Sequence, residues 1–300
     1  MTARGVLGMQ IGVSIYSLCS AVNKKELSIF DAVREIAACG ADCIEFVDFM
    51  MEDGDGFVDA LNAVVREAGL AVASYSIGAH FVGLSEGEYA AEIARVKAQI
   101  DVAHAIGARV MRSDLLRGAR TDAENAAECF ARDLPVLAKA ARELATYAKT
   151  RGVMLTVENH GMYVNGADRV RNLITTTAHE NYGCTLDIGN CLCVDEDPMA
   201  FTKALLPYAK VVHFKDFLIR RATNMPARSK TGCPGWITTP GGHYLRGTII
   251  GDGDVDTASV MERIKAFGFD GAVIIEFEGL EDCRAAVKAS LENVRRFAGK

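Results

Sequence analysis

Along this chain, amphipathic stretches alternate with short and nearly continuous apolar runs. Several amphipathic stretches close on a glycine: Gly40 before Cys43-Ile44-Glu45-Phe46-Val47, Gly69 before residues 70–75, and Gly107 before Val110-Met111-Arg112. Gly152, Gly183 and Gly268 with Gly271 stand in the same way before the runs at 153–157, 184–186 and 272–275. A glycine just past a helix supplies the left-handed residue that ends it, and unbroken apolar strands suit a sheet covered on both faces. The junctions predict a βα repeat. Two capping boxes, Ser28 with Asp31 and Thr121 with Glu124, predict helix starts in the same register.

The pattern predicts strands at residues 9–16, 43–49, 70–76, 109–113, 153–159, 184–187, 210–214 and 272–277. Eight strands alternating with helices predict an α/β fold, a single (β/α)8 TIM barrel with a parallel eight-stranded barrel and outer helices, rather than an open doubly wound sheet. The 300 residues fit one such domain over 1–300, since a barrel takes up roughly 250 residues and tolerates insertions. No linker divides the chain. One long irregular segment, about 218–248, carries Gly, Pro, Arg and the only tryptophan, Trp236. It lies between the seventh and eighth strands, on the face where barrels place their active sites, and is expected to be a lid or an assembly contact.

Half of the chain is hydrophobic, enough for a large core, and the formal net charge is −6. With no clustered Lys/Arg stripe, a nucleic-acid partner is not expected. The apolar stretch 6–22 is interrupted by Gln10, Ser14, Ser17 and Ser20, so it reads as the first strand and its loop rather than a secretion signal. No run approaches the roughly 20 apolar residues of a membrane span, so no membrane partner is expected. Nine cysteines lack the spacing of a disulfide framework, which predicts reduced thiols and a cytoplasmic protein. Cys191 and Cys193 read as small packing thiols rather than soft-metal ligands.

Chemistry enters at the strand ends. Glu158, Asp187, His213 and Glu276 each close an apolar run, on the predicted fifth, sixth, seventh and eighth strands. A buried strand that ends in an ionisable group must find it a partner, because an uncompensated charge there costs several kcal/mol. In a parallel barrel these four ends converge on one rim. Three carboxylates and an imidazole form a mostly hard, oxygen-rich set that suits one divalent metal ion, Mn²⁺ foremost, with Mg²⁺, Co²⁺ and Zn²⁺ also compatible.

The order Glu-Asn-His-Gly (158–161), Leu-Asp-x-Gly-Asn (186–190), His-x-Lys-Asp (213–216), Gly-Asp-Gly-x-Val-Asp (251–256) and Ile-Ile-Glu (274–276) resembles the xylose isomerase-like TIM barrels. Within them it is most similar to the sugar phosphate isomerase/epimerase group that includes ketose 3-epimerases, and the likeness covers nearly the whole chain. The resemblance implies Glu158, Asp187, His213 and Glu276 as metal ligands, with Glu158 and Glu276 also moving the proton as catalytic acid and base. It implies a metal-dependent isomerase or epimerase of a sugar, keto-sugar or related polyol that abstracts a proton beside a metal-bound carbonyl and passes through an enediolate. The expected partner is therefore a small-molecule carbohydrate. Barrels of this group often associate, which adds a homo-oligomer through the 218–248 segment.

Two departures bear on the substrate. Many epimerases carry His three residues after the metal-binding Asp, where this chain has Asn190, and the substrate-binding Arg of the pattern is replaced by Ile219, followed by Arg220 and Arg221. The nearest rival reaction is a metal-dependent lyase, an inosose dehydratase-like enzyme or one that eliminates the group β to the ketone of an oxidised glycoside. A zinc phosphodiesterase of the endonuclease IV type shares the barrel but needs further histidines, where this chain has Asn190 and Arg112-Ser113-Asp114.

Substrate-binding candidates follow from position. His160 comes just after Glu158 at the rim, and Lys215 points the same way as His213, to touch a substrate oxygen or a carboxylate such as Asp216 or Glu276. Glu45 and Arg112 end the second and fourth strands and are candidates for an ion pair under the pocket or for substrate contact. His80 and His243 sit in rim-side loops, whereas His104 and His179 read as surface or packing residues. Asp252, Asp254 and Asp256 read as a turn plus helix cap rather than a Ca²⁺ loop.

Overall fold

The computed structural model of the chain describes residues 8–52, 54–118, 120–221 and 235–300. Every apolar run forms a strand: β1 (Gln10–Ser14), β2 (Cys43–Val47), β3 (Ala71–Ile77), β4 (Val110–Ser113), β5 (Met154–Glu158), β6 (Tyr182–Asp187) and β7 (Ala209–Phe214). Three further strands, β8 (Asp216–Arg221), β9 (Ile237–Thr238) and β10 (His243–Thr248), precede the last barrel strand, β11 (Ala272–Ile275). The eight barrel strands pair in parallel and close in the order β1-β11-β7-β6-β5-β4-β3-β2. This is a (β/α)8 TIM barrel.

Helices follow the strands. After the short α1 (Cys19–Asn23) come α2 (Ile29–Ala38), α3 (Phe57–Glu67), α4 (Glu86–Ala105), α5 (Ala127–Thr150), α6 (Ala167–Thr177) and α7 (Pro198–Leu205), then α8 (Thr257–Phe267) and α9 (Cys283–Ala298). Their apolar stripes cover the outside of the barrel and form the main core with the outward residues of the strands, such as Val13, Ile44, Leu155, Leu186 and Val273. A second, smaller cluster of Cys43, Ala73, Val110, Val211, Ala272 and Ile274 fills part of the barrel's interior. Among the described residues no helix is long and apolar enough to cross a membrane.

Three local expectations are corrected. The Ser28 box opens α2 as expected, but the Thr121 box closes on Glu124 within an isolated turn, and α5 starts only at Ala127 with no side-chain cap. Gly183 ends no helix: it lies inside β6, where a Cβ would come within 2.8 Å of the Tyr208 carbonyl, and α6 ends instead on Ala178 in the left-handed conformation. The segment read as irregular contains a three-stranded antiparallel sheet, in which β10 pairs with both β8 and β9. Residues 222–234 of that segment, like the start of the 6–22 stretch, lie outside the described residues.

The excursion is tied to the barrel by one carboxylate. Asp216 is buried, and its oxygens accept hydrogen bonds from the backbone N–H of Phe217, Gly251, Gly253 and Val255 at 2.8–3.1 Å. A Cβ at Gly253 would collide with Asp216 Oδ1 and lie 2.8 Å from the Phe217 carbonyl, so the loop can wrap this closely only around glycine. Asp254 accepts from Ile219 N and Asp256 caps α8 through Ser259 N, which accounts for the aspartates as turn and cap. Asp216→Asn places an amide N–H₂ against this ring of donors. It should lower stability by about 1–3 kcal/mol, the cost of a buried unsatisfied group, seen as a lower urea midpoint with an unchanged slope.

Candidate functional site

Side chains two residues apart on a strand share a face, so the inner apolar cluster predicts what stands above it. One step up from Cys43 is Glu45, from Val110 Arg112, from Val211 His213 and from Ile274 Glu276. Continuing along the last two strands reaches Lys215 and Glu278. On β5 and β6 the step passes through Thr156 and Thr185, whose hydroxyls are bonded at 2.8 Å, to Glu158 and Asp187. Glu158, Asp187, His213 and Glu276 are all buried, and each offers one ligand atom within 4.8 Å of the others.

His213 is the hub. Its Nε2 meets Glu45 Oε2 at 2.9 Å, and that same oxygen accepts from Ser74 Oγ at 2.6 Å. Its Nδ1 is 3.3 Å from Glu158 Oε1 and 3.7 Å from Glu276 Oε2. Burial alone would lower the imidazole pKa, but Glu45 and then Glu158 outweigh it and the pKa is raised. Glu45 and Arg112 do not pair with each other. Arg112 Nη2 lies 2.7 Å from Glu158 Oε2 and its Nη1 3.2 Å from Asp114 Oδ2.

Lys215 binds carboxylates of the cluster, not Asp216. Its buried Nζ is 2.8 Å from Glu276 Oε2, 3.1 Å from Glu278 Oε2 and 3.7 Å from Asp187 Oδ2. Strand register brings this about: β7 and β11 pair Phe214 with Ile275, and Glu276 N then donates to the Phe214 carbonyl at 3.0 Å. Asn190 spans the cluster, donating from Nδ2 to Glu158 Oε1 at 3.2 Å and accepting from Lys215 Nζ at 3.2 Å. Its backbone N–H and that of Gly189 donate to Asp187 Oδ1, both at 2.7 Å.

The carboxylates are not equivalent. Burial pushes Glu158 up, but the Arg112 guanidinium and His213 prevail and hold it at about 2. Glu276 is likewise lowered, with Lys215 and His213 outweighing burial. Asp187 is raised to about 6 by burial, with Lys215 offsetting part of it and Glu158 and Glu276 adding to it.

The sequence model of the family described as xylose isomerase-like TIM barrel matches residues 33–297. The chain belongs to this family. An inosose dehydratase from Lactiplantibacillus plantarum is 28% identical over 130 residues, 42% of this chain and 41% of that protein, so the chain matches less than half the length of this curated relative. A xylose isomerase-like TIM barrel protein from Mycobacterium smegmatis, solved in complex with magnesium, superposes with a TM-score of 0.69 at 17% identity over 99% of this chain and 98% of that one. A D-allulose 3-epimerase from Methylomonas sp. gives 0.70 at 16% identity over 97% and 98%. At these identities the structural likeness shows the fold.

In this xylose isomerase-like barrel the four clustered residues fit a metal ion. Asp187 Oδ2 and His213 Nδ1 are buried and make no hydrogen bond among the described residues. Six carboxylates (Glu45, Asp114, Glu158, Asp187, Glu276, Glu278) are linked through ion pairs to Arg112, Lys215, His160 and His213. A metal-binding imidazole must be neutral, so with His213 neutral the six carboxylates exceed the positive charges of Arg112, Lys215 and a protonated His160 by three, an excess that a divalent ion would largely offset. Among the described residues no cysteine joins the cluster: Cys191 is buried and its Sγ donates to the Ile188 carbonyl.

Sequence reasoning missed Glu278, Tyr16, Asp114 and Asn159. Glu278 lies two residues beyond Glu276, the same spacing that singled out Lys215, and accepts from the Tyr16 hydroxyl at 2.8 Å. Asn159 exchanges two hydrogen bonds with the Asp187 backbone at 2.9 Å, extending the β5–β6 pairing past the strand end. The half-exposed His160 meets Asp114 at 2.9 Å through Nδ1. His80 binds the Val82 carbonyl and His243 lies in β10, both outside the four-residue cluster.

Two outcomes test this geometry. Glu45→Gln keeps the shape but removes the charge that holds His213 Nε2, and metal affinity measured by chelator competition should fall 10–100-fold, as for other partners of metal-binding histidines. His160 is raised from 6.5 to about 9, chiefly by the Asp114 charge, with burial opposing. Its imidazolium contact with Asp114 is then complete below pH 6.5 and lost as pH rises through about 9. In metal-free protein the ring's NMR titration midpoint should lie there and drop in Asp114→Asn.

Proposed function

We propose that the protein is a divalent-metal-dependent isomerase or epimerase acting on a sugar, keto-sugar or related polyol. The observation that carries this reading is the separate pairing of two clustered carboxylates: Glu158 with Arg112 at 2.7 Å and Glu276 with Lys215 at 2.8 Å. Glu158, Asp187, His213 and Glu276 would hold the ion, with Mn²⁺ or Mg²⁺ suiting the oxygen-rich set. When bound, the ion supplies Lewis acidity that acidifies a C–H beside a carbonyl.

The chain's own residues account for the rest. Glu158 and Glu276, from strands on either side of β6 and β7, would remove a proton at one face of the substrate carbon and return it at the other. Arg112 and Lys215 hold the two carboxylates in position, and Asn190 and His160 offer hydrogen bonds to substrate oxygens.

A lyase is the second reading. Lys215 favours it: an ammonium at the edge of the cluster can hand a proton to a leaving oxygen. The partial match to an inosose dehydratase supports the same alternative.

The two readings separate in D₂O with metal-loaded enzyme and a panel of ketoses and keto-cyclitols. An isomerase or epimerase returns a product of unchanged composition carrying one deuterium, whereas a lyase loses water or an aglycone. Chelation should abolish turnover and added Mn²⁺ or Mg²⁺ restore it. Glu158→Gln and Glu276→Gln should each lower kcat at least ~100-fold, the usual worth of a positioned acid or base; retained activity would remove these roles.

A further inference from the structure

Beside the cluster, on the side of β4 and β5, the rim opens into a cavity of about 360 Å³ whose charged lining is Glu158, His160, Asp114, Arg117 and Arg120. The two carboxylates on its wall are already engaged, Glu158 by Arg112 at 2.7 Å and Asp114 by Arg112 and His160 at 3.2 and 2.9 Å. Arg120 is not, and Arg117 meets a carboxylate only at long range. Among the described residues Arg120 has no carboxylate oxygen within 4.0 Å, and the one such partner of Arg117 is Asp48 at 3.9 Å.

Both guanidiniums make further contacts that carry no negative charge. Arg120 lies over the Tyr163 ring, 4.3 Å from its centroid, and donates from Nη2 to the Glu124 carbonyl, while its Nε is buried without a partner. Asp133, which accepts from the Tyr163 hydroxyl, is itself paired with Arg132 at 2.9 Å. Arg117 donates from Nη2 to the Gly78 carbonyl and lies so close to that residue that a Cβ there would be 2.6 Å from Nε. Guanidiniums with little carboxylate pairing at the wall of a cavity are suited to a carboxylate or phosphate, which they meet with paired and charge-assisted hydrogen bonds.

We propose that this cavity binds an anionic substituent of the substrate through Arg117 and Arg120, so that the substrate class is a sugar acid or a sugar phosphate rather than a neutral sugar. The assignment rests on the carbohydrate reading above for the word sugar, but the anion site itself does not depend on turnover or on metal.

The test uses the full chain, dialysed free of divalent metal so that an anion cannot bind through the ion. Malonate and inorganic phosphate are titrated separately by calorimetry. At least one should bind, about ten-fold more weakly in Arg117→Gln and in Arg120→Gln and roughly a hundred-fold more weakly in the double variant, as expected when charge-assisted pairs are lost. Tighter malonate points to a sugar acid and tighter phosphate to a phosphate ester. A measurement on the unaltered protein guards against misfolded variants: either anion should protect Arg117 and Arg120 from phenylglyoxal, read by peptide mass spectrometry. Absence of binding by both anions, equal affinity in a folded double variant, or unprotected arginines would overturn the site. Anion binding without turnover of any ketose would keep the site and remove the reaction, and epimerisation of neutral ketoses without anion binding would do the reverse.

Discussion

The structure turns on buried negative charge gathered at one end of the barrel. Glu158, Asp187 and Glu276 lie within a few ångströms of one another with almost no solvent contact. Each carboxylate taken out of water unpartnered would cost several kcal/mol, comparable to the net stability of a whole domain. The barrel meets this with cations built into neighbouring strands: Arg112 one strand from Glu158, Lys215 one strand from Glu276, and His213 between them. Closing the barrel in this register therefore assembles the countercharges together with the acids. An arrangement that shifted one strand by a single residue would turn its charged end into the helix layer and leave its partner alone.

Much of the fold was legible because its signals are local. A strand covered on both faces reads as an unbroken apolar run whichever neighbour it pairs with, and a helix-ending glycine reflects the backbone of a few residues. The four clustered strand-end residues could be named for the same reason: an ionisable group at the end of such a run is conspicuous by itself. Where a local signal had two outcomes, inspection favoured the wrong one. The Thr121 box makes the same reciprocal bonds with Glu124 as a true helix start, but the chain turns again before Ala127 and the bonds close a turn.

Pairings were not legible. Glu45 and Arg112 were both recognised as strand-end charges, and opposite charge made them look like partners. Register decides otherwise, because Glu45 reaches His213 across 168 residues of sequence and Arg112 reaches Glu158. The antiparallel sheet of β8, β9 and β10 was hidden for a similar reason. Its strands are half-exposed and carry Arg, Gly and Thr, and what holds them is Asp216, whose four backbone donors lie one and then 35 to 39 residues away.

The two glutamates proposed to carry the proton sit in the same cluster but face cations of different kinds. Arg112 cannot lose its proton within any physiological range, so it can only hold Glu158 ionised and in place. Lys215 is a compact ammonium whose proton can be shared, and it touches Glu276, Glu278 and Asn190 together. Glu278 in turn accepts from Tyr16, which lies on a second cavity at the rim. Glu158 is thus backed by a guanidinium alone, and Glu276 by an ammonium that is itself linked through Glu278 to Tyr16 at the rim. Both carboxylates are held ionised, but one by a cation that cannot give up its proton and the other by one that can, and this is where two groups of equal chemistry acquire unequal surroundings.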